Sequence, residues 1–191
     1  METRIADYLH ELGQLKRVQR SGWWLAGVRC AESVAEHSFR AAAIAFVLAD
    51  LEGADPAKAA TLALFHDAAE TRVNDAHRMA RRYIDWRGVE EKVVDDQLLG
   101  LPADLARRIQ TLYAESRSKA TLEACIAKDA DLLECLLQGR EYEREGLRVE
   151  DWIESSVSEL TTRSGRRLAC AILETSPDAW RSPPSGPPAS T

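Results

Sequence analysis

Leu64-Phe65-His66-Asp67-Ala68-Ala69-Glu70 decides how this chain is read: a histidine and an aspartate stand side by side late in an otherwise apolar helical segment. An unpartnered carboxylate is costly to bury there, so the pair calls for a cation or an ion-pair partner. Upstream, His37 lies in Ser33-Val34-Ala35-Glu36-His37-Ser38; downstream, Asp131 lies in Lys128-Asp129-Ala130-Asp131-Leu132-Leu133-Glu134. Each falls on an expected helix. Two imidazoles and two carboxylates make a nitrogen and oxygen donor set. It suits Mn, Fe, Co, Ni or Mg with open water positions better than a closed structural zinc site. Open positions imply bound water, and bound water implies hydrolysis.

Working outward, composition favours helices. The chain has 191 residues, enough for one sizeable core but not comfortably for two. Hydrophobic residues make up 45% and aromatics 6%, with Ala and Leu prominent, both good helix formers. Only Pro56 and Pro102 precede residue 177, each where a helix can begin at no cost in hydrogen bonds. An all-α bundle follows. No stretch approaches the roughly 20 apolar residues that span a bilayer, and Met1 to Arg20 lacks a signal-peptide core, so no membrane partner and a cytoplasmic location are expected. Cys30, Cys125, Cys135 and Cys170 are scattered without CxxC spacing and read as reduced core thiols. A net charge of −6 argues against broad binding to duplex nucleic acid, which needs many Lys and Arg on phosphates. A small anionic substrate can still find a local basic pocket.

Periodicity divides the chain. Ile5, Leu9, Leu12 and Leu15 mark an amphipathic helix from about Ile5 to Arg17, followed by a turn at Ser21-Gly22. Ser33-Val34-Ala35-Glu36 is a capping box opening a helix to about Leu51, with His37 at its start. Asp55-Pro56 opens the helix expected to carry His66-Asp67. On it Glu70 follows His66 by four residues and shares its face. The segment from Thr71 to Asp96 is less periodic and reads as a loop or short helices lining the site. Helices are expected from Pro102 to about Glu115, from about Ala120 to Glu145 with Asp131, from Asp151 to Arg163 and from about Arg166 to Glu174. The folded unit is read as residues 1–176. Residues 177–191 read as a flexible Pro/Ser-rich tail.

The order His37, His66-Asp67, Asp131, each on a helix, resembles the HD-domain superfamily of metal-dependent phosphohydrolases. The flanking residues Glu32-Ser33-Val34-Ala35-Glu36-His37-Ser38, Phe65-His66-Asp67-Ala68-Ala69-Glu70 and Asp131-Leu132-Leu133-Glu134 are similar to its small 5′-deoxynucleotidase branch, over about residues 5–175. The resemblance implies a compact HD-domain bundle in which His37, His66, Asp67 and Asp131 hold one divalent metal (Mn, Co, Ni, Fe, Mg or Zn). Asp129 competes with Asp131; the small residue before Asp131 and the apolar pair after it favour the latter. Glu70 and Asp75 are implied as acids near the attacking water, either of which can accept its proton.

Arg20-Ser21-Gly22-Trp23 resembles the branch's Arg and Trp, the first pairing with phosphate and the second packing on the deoxysugar; Trp24 is the alternative to Trp23, and both tryptophans can equally be core. Arginine suits the phosphate because its guanidinium forks onto two oxygens. His77 is a candidate phosphate donor, and Arg78, with Arg81 and Arg82, would add positive potential, although a charge run is usually a solvated face. The implied reaction cleaves deoxyribonucleoside 5′-monophosphates to nucleoside and phosphate, in a homodimer. The alternatives are an HD-type phosphodiesterase or other nucleotide phosphohydrolase and, outside catalysis, a metal-stabilised helical scaffold. Fold alone does not choose among them.

Overall fold

The structure is a computed structural model that describes residues 1–182. Among these the regular elements are all helices, without strands: α1 (Glu2–Leu12), α2 (Val34–Glu52), α3 (Pro56–Phe65), α4 (Glu70–Val73), α5 (Trp86–Leu98), α6 (Ala103–Ser118), α7 (Leu122–Arg144), α8 (Glu150–Ser158) and α9 (Arg163–Glu174), with short 3-10 turns between some of them.

Local chemistry sets the starts of these helices. Ser33 accepts from the Glu36 amide while the Glu36 carboxylate takes the Ser33 amide, the expected reciprocal box. Asp55 caps α3, with Pro56 at its first position. Thr121 caps α7 and Thr162 caps α9. Gly53, at φ +71°, closes α2 in the left-handed conformation that glycine adopts without strain.

The helix α7 runs through the middle and packs on α2, α3, α8 and α9. Leu48, Leu62, Ile126, Leu133 and Leu136 are fully buried between them, each contributing roughly 1.5–3 kcal/mol by leaving water. The small residues Ala41, Ala45 and Ala49 of α2 and Ala59 and Ala63 of α3 are also fully or almost fully buried, which lets these two helices approach closely. A second cluster, Tyr8, Val93, Val94, Leu98, Leu101, Ile109 and Tyr113, joins α1, α5 and α6. It closes over Ala68 and Ala69, the turn directly after the His-Asp pair. Buried Gln97 fixes that turn, donating to Ala68 O at 3.2 Å and to Thr71 Oγ1 at 2.8 Å.

Several elements differ from expectation, among them α8, which ends at Ser158 instead of running to Arg163. The helix α1 stops at Leu12 and passes into a 3-10 turn over Gly13–Lys16, instead of running to Arg17. The helix α3 ends at Phe65, so His66 is its C-cap and Glu70 begins a new turn of helix. Within the segment from Thr71 to Asp96, α5 is a regular 13-residue helix whose buried face is only Val93, Val94, Gln97 and Leu98, too sparse to stand out as a periodic pattern. At the other end, Asp178 pairs with Arg144 and Arg181, so the first residues of the expected tail meet α7. Residues 183–191 of that tail lie outside the described residues.

Candidate metal centre and substrate cavity

Each of the four expected ligands arrives from a different backbone setting. His37 sits in the first turn of α2, Asp131 in the middle of α7, and His66 and Asp67 where α3 has just ended. His66 itself stays helical at φ −58° and ψ −35°, and its ring reaches to 3.0 Å from the Asp67 carboxylate. His66 Nδ1 faces Ala63 O at 2.6 Å and His37 Nδ1 faces Glu134 Oε2 at 2.5 Å. With both Nδ1 atoms engaged by acceptors, both Nε2 atoms are left to face inward.

The inward atoms converge. His37 Nε2 lies 3.4 Å from His66 Nε2, 3.1 Å from Asp131 Oδ1 and 3.8 Å from Asp67 Oδ2. His66 Nε2 lies 3.0 Å from Asp67 Oδ2 and 3.8 Å from Asp131 Oδ1. Donors about 2.0–2.2 Å from one ion stand about 3 Å apart at right angles and somewhat more at tetrahedral angles. The spacing and the donor types therefore fit a divalent metal. His37, His66 and Asp67 also form a compact group of potential ligand atoms by themselves.

The electrostatics are those of a cation site. Burial opposes charge on Asp67 and Asp131, yet His66 and Arg20 for Asp67, and Lys128 and both histidines for Asp131, hold them below the usual carboxylate range. Burial and Arg20 oppose a charged His37, yet Glu134 and Asp131 lift it to about 9. Asp67 and Asp131 likewise outweigh burial to lift His66 well above its ordinary value. In effect, protons on the two rings and the Arg20 guanidinium balance carboxylates that a metal would otherwise neutralise.

Asp129 takes no part. Fully buried two residues before Asp131, its carboxylate accepts from the amides of Thr161 and Thr162 and from both hydroxyls, at 2.7–3.1 Å. It fastens the start of α9 to α7. Gly165 stands so close that a side chain there would meet Asp129 Oδ2 at 2.7 Å.

The centre opens into a cavity of about 480 Å³, a size usual for small-molecule sites. Arg20, Asp67, Lys128, Asp131 and Cys135 line its polar end, and Trp152, Leu25 and Met79 contribute apolar wall. Arg20 Nη1 lies 3.1 Å from Asp67 and 3.8 Å from Asp75, and its Nη2 lies 3.7 Å from Asp131. Glu70 has no exposed surface, and neither carboxylate oxygen has a hydrogen-bond partner. Arg81 is 3.5 Å away. Burial, then the charges of Asp67 and Asp75, push the Glu70 carboxyl well above its ordinary range. Asp75 accepts from the Ser21 amide at 2.6 Å and stands 3.7 Å from Arg81.

The expected substrate contacts differ in exposure. Trp23 lines the cavity but is only 2% exposed; it meets Tyr142 edge-on at 5.1 Å, stacks on Trp152 at 6.2 Å and donates to Glu32. Its core role is therefore extensive. Trp24, by contrast, is 53% exposed and donates to Gln19. His77 and Arg78 also line the cavity. His77 Nδ1 accepts the Ala80 amide, and Arg78 reaches across to Ser155 and Glu159, where it ties the 74–82 segment to α8.

Sequence reasoning passed over Lys128, whose ammonium is 2.7 Å from Asp131 Oδ2, and Trp152 and Ser155 of α8. Lys128 had a readable signal, one turn before Asp131 on the same helix face. Trp152 and Ser155 had none, because only the packing of α8 on α7 brings them to the cavity.

Comparison with known proteins gives consistent results. The HD domain family profile matches residues 12–175. The chain is 33% identical over 188 residues to the 5′-deoxynucleotidase HDDC2 of Bos taurus, covering 89% of this chain and 90% of that protein. It is 32% identical over 145 residues to the 5′-deoxynucleotidase hdd1 of Schizosaccharomyces pombe, covering 73% of each. Among solved structures, a protein of Pyrococcus horikoshii superimposes with a TM-score of 0.76 at 29% identity, covering 88% of this chain and 96% of that one.

Proposed function

Because this chain belongs to the HD domain family, we propose that it is a metal-dependent 5′-deoxynucleotidase, hydrolysing deoxyribonucleoside 5′-monophosphates to nucleoside and phosphate. The observation that carries the reading is the convergence of His37, His66, Asp67 and Asp131 beside a buried, unpartnered Glu70. A scaffold has no use for a buried acid without a hydrogen bond at that place.

The four side chains would hold one divalent ion, which supplies Lewis-acid polarisation of the phosphate and activation of water. The remaining work falls to the chain. Arg20, its guanidinium already at the two ligand carboxylates, is placed to pair with phosphate oxygens and offset charge developing on them. Lys128 adds a second positive group on the α7 side of the cavity.

Glu70 accepts the proton of the attacking water. Its raised pKa makes it a stronger base than an ordinary carboxylate. Asp75, held by the Ser21 amide, is the second acid and sets the charge around Glu70. Trp23 and Trp152 form the wall on which the sugar and base rest, with His77 and Arg78 at the segment covering the cavity.

The reading includes a homodimer and a cytoplasmic location. Four unpaired cysteines suit a reducing compartment, and no helix among the described residues is long and apolar enough to cross a membrane. The test is phosphate release from a panel of deoxy- and ribonucleoside 5′-monophosphates. Metal-stripped protein is used with Mn, Co, Ni, Mg or Zn added back, alongside Asp67→Ala. Metal-dependent, deoxy-selective release that disappears in Asp67→Ala is expected. Loss of diesters without release from monophosphates would overturn the monoesterase reading in favour of a phosphodiesterase.

A further inference from the structure

Behind His37, on the side away from the substrate cavity, a connected group of polar side chains has no part in the chemistry above. Glu134 is fully buried and gives Oε2 to His37 Nδ1 at 2.5 Å. Its Oε1 receives Arg40 Nε at 2.9 Å and Nη2 at 2.8 Å. Arg40 also donates to Gln138 at 2.9 Å and to Glu141 at 2.6 Å. The register explains the group: His37 and Arg40 are one turn apart on α2, facing Glu134, Gln138 and Glu141 on successive turns of α7.

Arg40 does not line the substrate cavity. It opens instead on a separate hollow of about 530 Å³, with Cys30, Phe39 and Tyr142 among its walls.

Resting on the metal-centre reading, we infer that Arg40 is a positioning residue for the metal. It pins Glu134 so that Glu134 holds the proton on His37 Nδ1 and leaves Nε2 free to bind the ion. A carboxylate behind a ligand histidine fixes the ring and raises the basicity of its other nitrogen. Glu134 can do so only while its own negative charge, which has no water around it, is matched. The two-pronged guanidinium matches it, and Gln138 and Glu141 keep the fork in plane. Without Arg40, the outer oxygen of Glu134 loses both of its donors and the carboxylate is free to turn away from the ring, which disorganises the ligand.

The test uses the full chain with Arg40→Met and Arg40→Lys, stripped of metal and titrated with Mn by calorimetry. Phosphate release at saturating Mn and 15N NMR of the histidine rings are read in parallel. Arg40→Met is expected to bind Mn about 10- to 100-fold more weakly. Arg40→Lys keeps the charge but not the fork, and should fall about 3- to 10-fold. In both, KM and kcat at saturating Mn stay within about twofold of the parent, and the His37 Nδ1–H signal is lost or exchange-broadened in Arg40→Met. A merely structural arginine would lower the melting temperature and leave Mn affinity alone. Parental Mn affinity in folded Arg40→Met overturns the inference; if that variant does not fold, parental affinity in Arg40→Lys overturns it. A parent protein that binds no divalent metal sinks this inference and the metal reading together. A parent that binds Mn but releases no phosphate from any substrate sinks only the assigned activity.

Discussion

Replacing Glu70 with glutamine should move activity and stability in opposite directions. In the folded protein the carboxyl is fully buried, with both oxygens unpartnered, and its pKa is raised well above the usual range. In the unfolded chain it ionises near its ordinary value of about 4.3. At pH 7 folding must therefore either protonate the group or bury a charge, and the cost grows from about pH 4.3 up to the folded pKa. The amide keeps the shape and the buried polar atoms and removes the charge. Each unit by which the folded pKa stands above the unfolded value costs about 1.4 kcal/mol once the pH has passed it, and the amide recovers at least roughly 1 kcal/mol of that cost. For a chain of this size that is about 2–4 °C in melting temperature.

Glutamine cannot accept the water proton, and loss of a general base costs about 10²- to 10⁴-fold in kcat, or roughly 3–5 kcal/mol of barrier. The assay pairs differential scanning calorimetry of metal-free Glu70→Gln at pH 7 and pH 4 with kcat at saturating metal. The gain in melting temperature should be present at pH 7 and absent at pH 4. A variant that turns over within tenfold of the parent with metal bound, or that melts lower at pH 7, would refute the reasoning.

Asp129→Ala strands the Thr161 and Thr162 amides and should cost about 3 kcal/mol while leaving Mn affinity unchanged, whereas Asp131→Ala should abolish Mn binding; calorimetric titration of both separates the two aspartates. His37 and Glu134 should confine the stability of the metal-free protein from both sides. The carboxyl is held at about 2, so its contribution is whole above about pH 4.3 and fades as pH falls toward 2. The ring is raised to about 9, so its contribution is whole below about pH 6.5 and fades as pH rises through 9. Glu134→Gln should flatten both limbs in urea melts of the metal-free protein. Trp23→Ala, at a 2%-exposed position against Tyr142 and Trp152, should lose about 3–5 kcal/mol by urea unfolding; a loss below about 1 kcal/mol would make Trp23 a wall residue without a core role.

The helical class was readable because its signals are local: the Ser33 capping box, Asp55-Pro56 and the alanine-rich α2 each appear as written. The meeting of His37, His66, Asp67 and Asp131 in one place was also expected from motif order. The break at Phe65 was not, since Ala68 and Ala69 are good helix formers; the turn is imposed by the cluster of α1, α5 and α6 and by Gln97 from a distant helix. Lys128 was legible one turn before Asp131 on the same helix, but Arg40 carried no local signal. Only the facing of α2 and α7 shows that Arg40 meets Glu134.

That break has a further consequence, carried by the backbone. A helix bears about half a negative charge at its C-terminal end. Because α3 stops at Phe65, this end of its dipole falls beside His66 and Asp67, where a cation would sit. The field favours a positive ion by about 0.3–1 kcal/mol, and somewhat more when shielded from water. No side-chain substitution deletes it. Part of the preference for a cation is thus written into where a helix ends, and only a change that lengthens α3 past His66 would take it away.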